Sequence, residues 1–180
     1  TKQYASSASS FIVAHKDDYS YLITSGHVCD IDFGRLSDLP GFKFELEFYG
    51  LTLKMKKHDF QIVAIDGPSD LCLLRTKKLD LPPYKIAKKP PEVGEMVYNI
   101  AAPMGIFEED MVPLFKGIYS GDAYERSIFS IPAIGGSSGS PVLNRKGEVV
   151  GVISATTINF KHLTICSPLK AIKEIIKNGL

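Results

Sequence analysis

At 180 residues the chain is long enough for one domain, or for two small halves that share an interface. Its 21 basic and 20 acidic residues nearly cancel, which argues against nucleic acid as the main partner. A hydrophobic content of 44% supports a packed core and argues against a disordered chain. No apolar run reaches the roughly 18 residues that a membrane-spanning helix needs, so no membrane partner is predicted.

The N-terminus, TKQYASSASS, lacks the positive start and the apolar core of a secretory signal. It also lacks an initiator Met, which suggests a processed product or a piece of a longer chain. The compartment is not fixed by the sequence, but an intracellular protein, including one encoded by a virus or phage, is the expectation.

Short runs rich in Val, Ile, Phe, Tyr and Thr follow one another, with Gly, Pro, Asp and Asn between them about every 8–12 residues. One of them, FKFELEF at residues 42–48, alternates as a half-buried antiparallel strand should. The other clear runs are SFIVAH, SYLITSG, QIVAID, LCLLRT, MVYNIAAP, FKGIYSG and EVVGVISA. This pattern predicts an all-β sandwich or barrel fold.

A stretch with four prolines and little strand pattern, LPPYKIAKKPPEVGE, divides the chain into two halves of similar size. It is interpreted as a linker between two β-barrels. The predicted organisation is a first barrel, a linker, a second barrel and a C-terminal helix, over residues 1–80, 81–92, 93–166 and 167–180.

The predicted C-terminal helix lies in SPLKAIKEIIKNG. Ser167 suits its N-cap and Pro168 its first helical position. Gly179 fits just past its end.

Three cysteines, Cys29, Cys72 and Cys166, are widely spaced and odd in number. They predict three buried thiols rather than a disulfide framework. No CxxC pair occurs, so no metal site is predicted.

The segment IPAIGGSSGSPVLN holds a candidate nucleophile in two competing frames. GGSSG matches G-x-S-x-G, the nucleophile elbow of α/β-hydrolases, which would select Ser137 with Glu148 as acid and His162 as base. That elbow needs a strand–turn–helix setting, whereas Pro141 and the strand–turn–strand pattern after it favour no helix.

The other frame, GSSGSP, selects Ser138 and turns the amides of Gly136 and Ser138 toward a developing oxyanion. It resembles the G-x-S-G-x-P-L/V motif of trypsin/chymotrypsin-like serine proteases. The N-x-x-G-x-V-x-G-[VI]-x-S pattern after it is most similar to the HtrA/Deg branch and its viral and phage relatives.

Two upstream segments resemble further motifs of that family. YLITSGHVCD is similar to L-T-x-x-H-V and places His27 as general base. PSDLCLLRT is similar to x-D-[LI]-A-[LV]-[LV] and places Asp70 as the acid that orients the imidazole. The order His27, Asp70, Ser138 is the order that this family uses.

The resemblance implies two antiparallel Greek-key β-barrels and peptide hydrolysis through an acyl-enzyme on Ser138. It implies no cofactor and no metal, and no PDZ-like segment follows the final helix. Ser137 departs from the Asp or Asn usual before the nucleophile, so activation by an inserted N-terminal amine is not expected.

The resemblance also implies a protein or peptide substrate that binds as an added β-strand along residues 154–157. The residues expected to contact it are Pro132, Ser154, Ala155, Thr156 and Thr164. No Asp or Glu occurs in the expected pocket, residues 131–134, 154–156 and 163–164, so a small or medium apolar P1 side chain is predicted.

Two other roles stay open. The chain could be a catalytically silent relative that serves as a binding or scaffold module. It could also be an autoprocessing protease whose main substrate is its own precursor polyprotein. The oligomeric state is not predicted.

Overall fold

The computed structural model describes residues 6–30, 47–157 and 162–180. Strands predominate within these ranges. In chain order the elements are β1 (Phe11–Lys16), β2 (Tyr19–Ser25), α1 (Gly26–Cys29), β3 (Tyr49–Leu51), β4 (Lys57–Asp59), β5 (Gln61–Asp66), β6 (Leu71–Lys77), β7 (Met96–Ile100), a 3₁₀ turn (Pro103–Gly105), β8 (Leu114–Ala123), β9 (Arg126–Phe129), β10 (Pro141–Leu143), β11 (Val149–Thr156), β12 (Thr164–Pro168) and α2 (Leu169–Gly179).

The first half contains an antiparallel sheet in the order β1-β2-β6-β5 and a separate β3-β4 hairpin. Strand β6 lies inside the sheet, because it pairs with β2 on one side and with β5 on the other. Most of the predicted strand FKFELEF, residues 42–46, lies outside the described residues.

The second half is a closed antiparallel barrel in the order β10-β11-β12-β9-β8-β7. Closure comes from β10, which pairs with β11 on one edge and with β7 on the other. Its interior is filled by fully buried apolar side chains, including Val97, Phe129, Ile131, Val142 and Ile153. The predicted all-β fold class is confirmed.

A second apolar cluster joins the two halves. Ile23 and Leu71 of the first sheet pack in it with Val152 of the barrel and Ile172 of α2. Helix α2 contacts strands of both halves, so it contributes to the packing that joins them. The barrel and linker boundaries stay a prediction.

Helix α2 begins one residue later than the N-cap prediction requires. Pro168 is the N-cap, with φ −75° and ψ 156°, and Ser167 still belongs to β12. The prediction of Ser167 as the cap is wrong, because its hydroxyl donates to the carbonyl of Ser69 at 2.6 Å instead. The C-cap is Leu180, so Gly179 is the last helical residue.

The cysteine prediction is correct for Cys166 alone, which is buried and unbonded. Cys29 and Cys72 form a disulfide, with Cα atoms 6.4 Å apart and a sequence separation of 43. The prediction of three thiols is wrong because wide spacing along the chain says nothing about proximity once strands pair.

Candidate active site

His27 lies in α1, a single helical turn directly after β2. The turn is anchored just before His27, because the buried hydroxyl of Ser25 donates to the carbonyl of Ile153 in the barrel at 2.7 Å. The His27 side chain is 52% exposed, so it is accessible from solvent.

Asp70 lies in the turn between β5 and β6, and its side chain is 17% exposed. Its carboxylate accepts a hydrogen bond from the His27 amide at 2.8 Å and a second one from His27 Nδ1, at 2.9 Å to Oδ2 and 3.1 Å to Oδ1. The Ser154 hydroxyl donates to the same Oδ2. A carboxylate only accepts, so Nδ1 carries the proton and Nε2 of the neutral ring is an acceptor.

The backbone around Asp70 is held from the second half of the molecule. Asp70 has φ +53°, in the left-handed region that Asp tolerates better than most residues. The Arg126 guanidinium donates to the carbonyls of Pro68 at 2.9 Å and Ser69 at 2.7 Å. With the Ser167 bond to Ser69, these contacts fix the turn that presents the carboxylate.

The loop around Ser138 has several bound carbonyls, while some of its amides donate no hydrogen bond among the described residues. The Ser9 amide donates to Ser138 O at 2.8 Å, and the Ser9 hydroxyl donates to Gly136 O at 2.9 Å. The Gly139 amide donates to Ile153 O at 2.8 Å. Within the described residues, no hydrogen bond is donated by the amides of Gly135, Gly136 or Ser138. The Gly136 and Ser138 amides are therefore available as the oxyanion donors that the family resemblance implies.

The Ser138 loop packs against the end of β2. A Cβ added at Gly139 would lie 2.2 Å from Thr24 Oγ1 and 2.9 Å from the amide of Ser25, two residues before His27. No hydrogen bond joins the Ser138 hydroxyl to the His27 imidazole among the described residues. Hydrogen bonds therefore join His27 to Asp70 and Asp70 to Ser154. The Ser138 loop lies beside these residues, without a hydrogen bond from its hydroxyl to His27 in the described structure.

The elbow interpretation of Ser137 is wrong. Ser137 is only 1% exposed, and its hydroxyl accepts from the Ile134 amide at 3.4 Å. The loop runs into strand β10 rather than into a helix. Glu148 accepts a hydrogen bond from the side chain of Asn144 within the β10–β11 turn, and this bond stabilises the turn.

Of the predicted substrate contacts, Thr164 is fully buried and donates to the carbonyl of Ile131 at 2.5 Å. Pro132 is partly buried, Ala155 is exposed and Thr156 is partly buried. Strand β10 pairs with β11 only as far as Val152, which leaves residues 154–156 with one edge lacking a strand among the described residues.

Several positioning residues were missed from the sequence. Ser9, Arg126 and Ser167 hold the two loops through side-chain bonds, and none lies in a motif that could have revealed it. Cys166 is the one unbonded cysteine of the chain, and burial raises the pKa of its thiol, so it is unsuited to act as a thiolate. The described residues contain no cluster of metal-ligating side chains and no helix long and apolar enough to cross a membrane.

Gly136→Ala tests the oxyanion loop. Gly136 has φ +94°, and an added Cβ would lie 2.4 Å from the Ala102 carbonyl oxygen, so the peptide must rotate and misdirect its N–H. Loss of one oxyanion donor is expected to lower kcat for peptide hydrolysis about 10²- to 10³-fold. Gly135→Ala is the matched control, because nothing lies within 4 Å of its added Cβ and its φ is not in the left-handed region. Equal kcat in the two variants contradicts the assignment of this amide.

Comparison with known proteins gives a consistent result. Residues 8–152 match the sequence profile of the trypsin-like peptidase domain. A probable periplasmic serine endoprotease DegP-like of Ectopseudomonas mendocina (strain ymp) is 31% identical over 86% of this chain and 32% of its own length. The protein of the same name in Pseudomonas fulva (strain 12-X) is 30% identical over 97% of this chain and 35% of its own. The chain thus spans about a third of the length of these relatives.

Among solved structures, the serine endoprotease from Yersinia pestis superposes with a TM-score of 0.75, covering 95% of this chain and 56% of that chain. Its sequence identity is 19%, so this likeness supports the fold alone. The expectation of an intracellular protein is wrong, because these curated relatives are named periplasmic endoproteases. The composition of the first ten residues, on which this expectation depends, carries little information about compartment.

Proposed function

Because the chain belongs to the trypsin-like peptidase domain family and is a serine protease of the HtrA/DegP type, we propose that it cleaves peptide bonds through an acyl-enzyme on Ser138. In this proposal His27 is the general base and Asp70 orients it. The supporting observation is the contact between Asp70 and His27, where one carboxylate binds both the amide and the Nδ1–H of the same residue.

The mechanism follows from that tautomer. Ser138 Oγ attacks the scissile carbonyl while Nε2 of His27 takes its proton, and Asp70 stabilises the imidazolium that forms. The amides of Gly136 and Ser138 bind the oxyanion of the tetrahedral intermediate. The imidazolium then protonates the leaving amine, and a water activated by His27 hydrolyses the ester.

We further propose that the substrate adds a strand at the unpaired edge of residues 154–156. The P1 pocket lies between this edge and residues 131–134. In this segment Ile131 and Ala133 are buried in the barrel core, Pro132 and Ile134 are partly buried, and the Thr164 hydroxyl donates to the Ile131 carbonyl. With no acidic residue in the expected pocket, a small or medium apolar P1 side chain is favoured over Lys or Arg.

An oxidising compartment such as the periplasm is the proposed location. The Cys29–Cys72 disulfide supports it, because disulfides persist in oxidising compartments and are rare in the cytosol of mesophiles. The names of the curated relatives point the same way.

The function is tested by digesting a diverse peptide library with the wild-type protein and sequencing the products. Cleavage after small and medium apolar residues is expected, and pretreatment with a serine-directed fluorophosphonate should abolish it. Cleavage after Lys or Arg would overturn the pocket assignment alone.

The same digest tests two other roles. If no peptide is cleaved, the result would favour a catalytically silent binding module. The absence of a Ser138–His27 hydrogen bond among the described residues is compatible with that role. Cleavage confined to sequences that flank this domain in its parent chain would favour autoprocessing.

A further inference from the structure

The two cysteines of the disulfide have the same separation in sequence as the proposed base and acid. Cys29 follows His27 by two residues, and Cys72 follows Asp70 by two residues. The covalent bond therefore joins the same two segments that the His27–Asp70 hydrogen bonds join. It is a second link between α1 and the start of β6, two residues along each segment from the first.

Apart from the Ser25 anchor and the Asp70 bonds, helix α1 has few side-chain contacts of its own. Of its four residues Gly26 and Cys29 are buried, and since Gly26 has no side chain, Cys29 supplies the only buried side chain of the turn. The Asp30 amide donates back to Gly26 O, which is a bond within the turn and does not tie it to the sheet. An isolated turn of this length has no stability of its own.

The other end of the disulfide is in the interior of the sheet. Cys72 is fully buried and pairs with Thr24 of β2 and Ile65 of β5, so β6 is hydrogen-bonded on both sides there. Cys29 and Cys72 pack in one cluster with Leu22, Leu74 and Leu79. Cys29 thus links the short turn that carries His27 to a strand that is fixed on both edges.

We propose that the Cys29–Cys72 disulfide is a positioning element of the active site, which holds the His27 imidazole in register with Asp70 and aimed at the Ser138 loop. This inference rests on the proposed function. Without the bond α1 shifts on the sheet, the Nδ1–H contact loosens, and Nε2 no longer meets the Ser138 hydroxyl in the attacking geometry. The proposed substrate edge at residues 154–156 belongs to the other half and keeps its pairing with β12, so substrate binding is expected to persist.

The test compares wild type with Cys29→Ala/Cys72→Ala at a temperature where circular dichroism shows both folded. A misplacement of about 1 Å can cost about 10²-fold in rate, so kcat should fall about tenfold to a hundredfold while KM stays unchanged. The second-order rate of fluorophosphonate labelling at Ser138 should fall by the same factor. The downfield proton resonance of the His27 Nδ1–H should broaden or disappear.

Two variants separate positioning from stability. Leu79→Ala removes packing from the same cluster and leaves the disulfide, so it should melt earlier but keep wild-type kcat at the assay temperature. Cys29→Ala/Cys72→Val restores volume without the bond, so it should stay impaired, and it replaces the alanine pair if that pair does not fold. Wild-type kcat and resonance in the folded cysteine variants, or an equal kcat loss in Leu79→Ala, would overturn the proposal.

The two hypotheses fail differently. If wild type cleaves no peptide, the proposed function fails. If wild type cleaves peptides and the cysteine variants do so equally well, only the positioning role fails.

Discussion

Ser138→Ala is expected to lower kcat for peptide hydrolysis by about 10⁶-fold and to abolish fluorophosphonate labelling. No neighbouring group can replace the hydroxyl. Ser137 is buried and bonded to the Ile134 amide, and the Ser140 hydroxyl is fully buried and donates to the Ser137 carbonyl at 2.6 Å. The measurement is kcat on a peptide taken from the library digest, with labelling followed by intact mass.

Ser137→Ala is the informative comparison, because it changes the same atom one residue earlier in the loop. It should keep the label. Labelling that persists in Ser138→Ala and is lost in Ser137→Ala would contradict the assignment of Ser138 as the nucleophile. Residual hydrolysis in Ser138→Ala is expected to stay about 10³- to 10⁴-fold above water, since the oxyanion amides and the substrate edge remain.

The sequence predicted those parts of the site that local patterns encode. His27 follows a buried strand and Asp70 precedes one, so each pattern gave both the residue and its setting. The choice of Ser138 over Ser137 depended on the segment after the loop, and the structure has a strand there, as Pro141 suggested. The roles of these residues stay predictions until variants are measured.

The sequence could not predict contacts that arise only when distant segments meet. The disulfide is one, although its cue was present, because two cysteines at equal offsets from a paired His and Asp must lie near each other. The Ser167 bond is another. Its hydroxyl would cap the helix if the helix began one residue earlier, but with the observed start it binds a carbonyl 98 residues away. Arg126 lies in a hairpin with no motif at all.

The two halves of the molecule contribute different residues to the candidate site, so the site depends on contacts between the halves. The first half supplies His27 and Asp70, while the second supplies the Ser138 loop and Ser154. Relative motion of the halves would separate base from nucleophile. Ser25, Ser9 and Arg126 each bind a carbonyl of the opposite half, so the junction is held at the three segments that carry the candidate triad.

Asp70→Asn is expected to lower kcat by about 10⁴-fold with little effect on folding. The carboxylate accepts from His27 Nδ1 and so keeps the proton off Nε2. An Asn side chain in the same place would keep its oxygen at the Oδ1 position, where it accepts from the His27 amide, and would put its NH₂ at the Oδ2 position, which faces Nδ1 and the Ser154 hydroxyl. The imidazole must then carry its proton on Nε2, where it blocks transfer from Ser138.

The asparagine variant is suited to this test because Asn, like Asp, tolerates a left-handed backbone, here at φ +53°. Its melting temperature should therefore stay near that of wild type. Asp66→Asn is the matched control, since Asp66 ends β5 directly before the same turn and its carboxylate accepts from the Ser69 amide at 3.2 Å, so the same loss of charge leaves the imidazole untouched. If Asp70→Asn keeps kcat within tenfold of wild type, Asp70 does not set the tautomer of His27. If Asp66→Asn loses as much kcat as Asp70→Asn, the charge of the turn accounts for the loss and the tautomer of His27 does not.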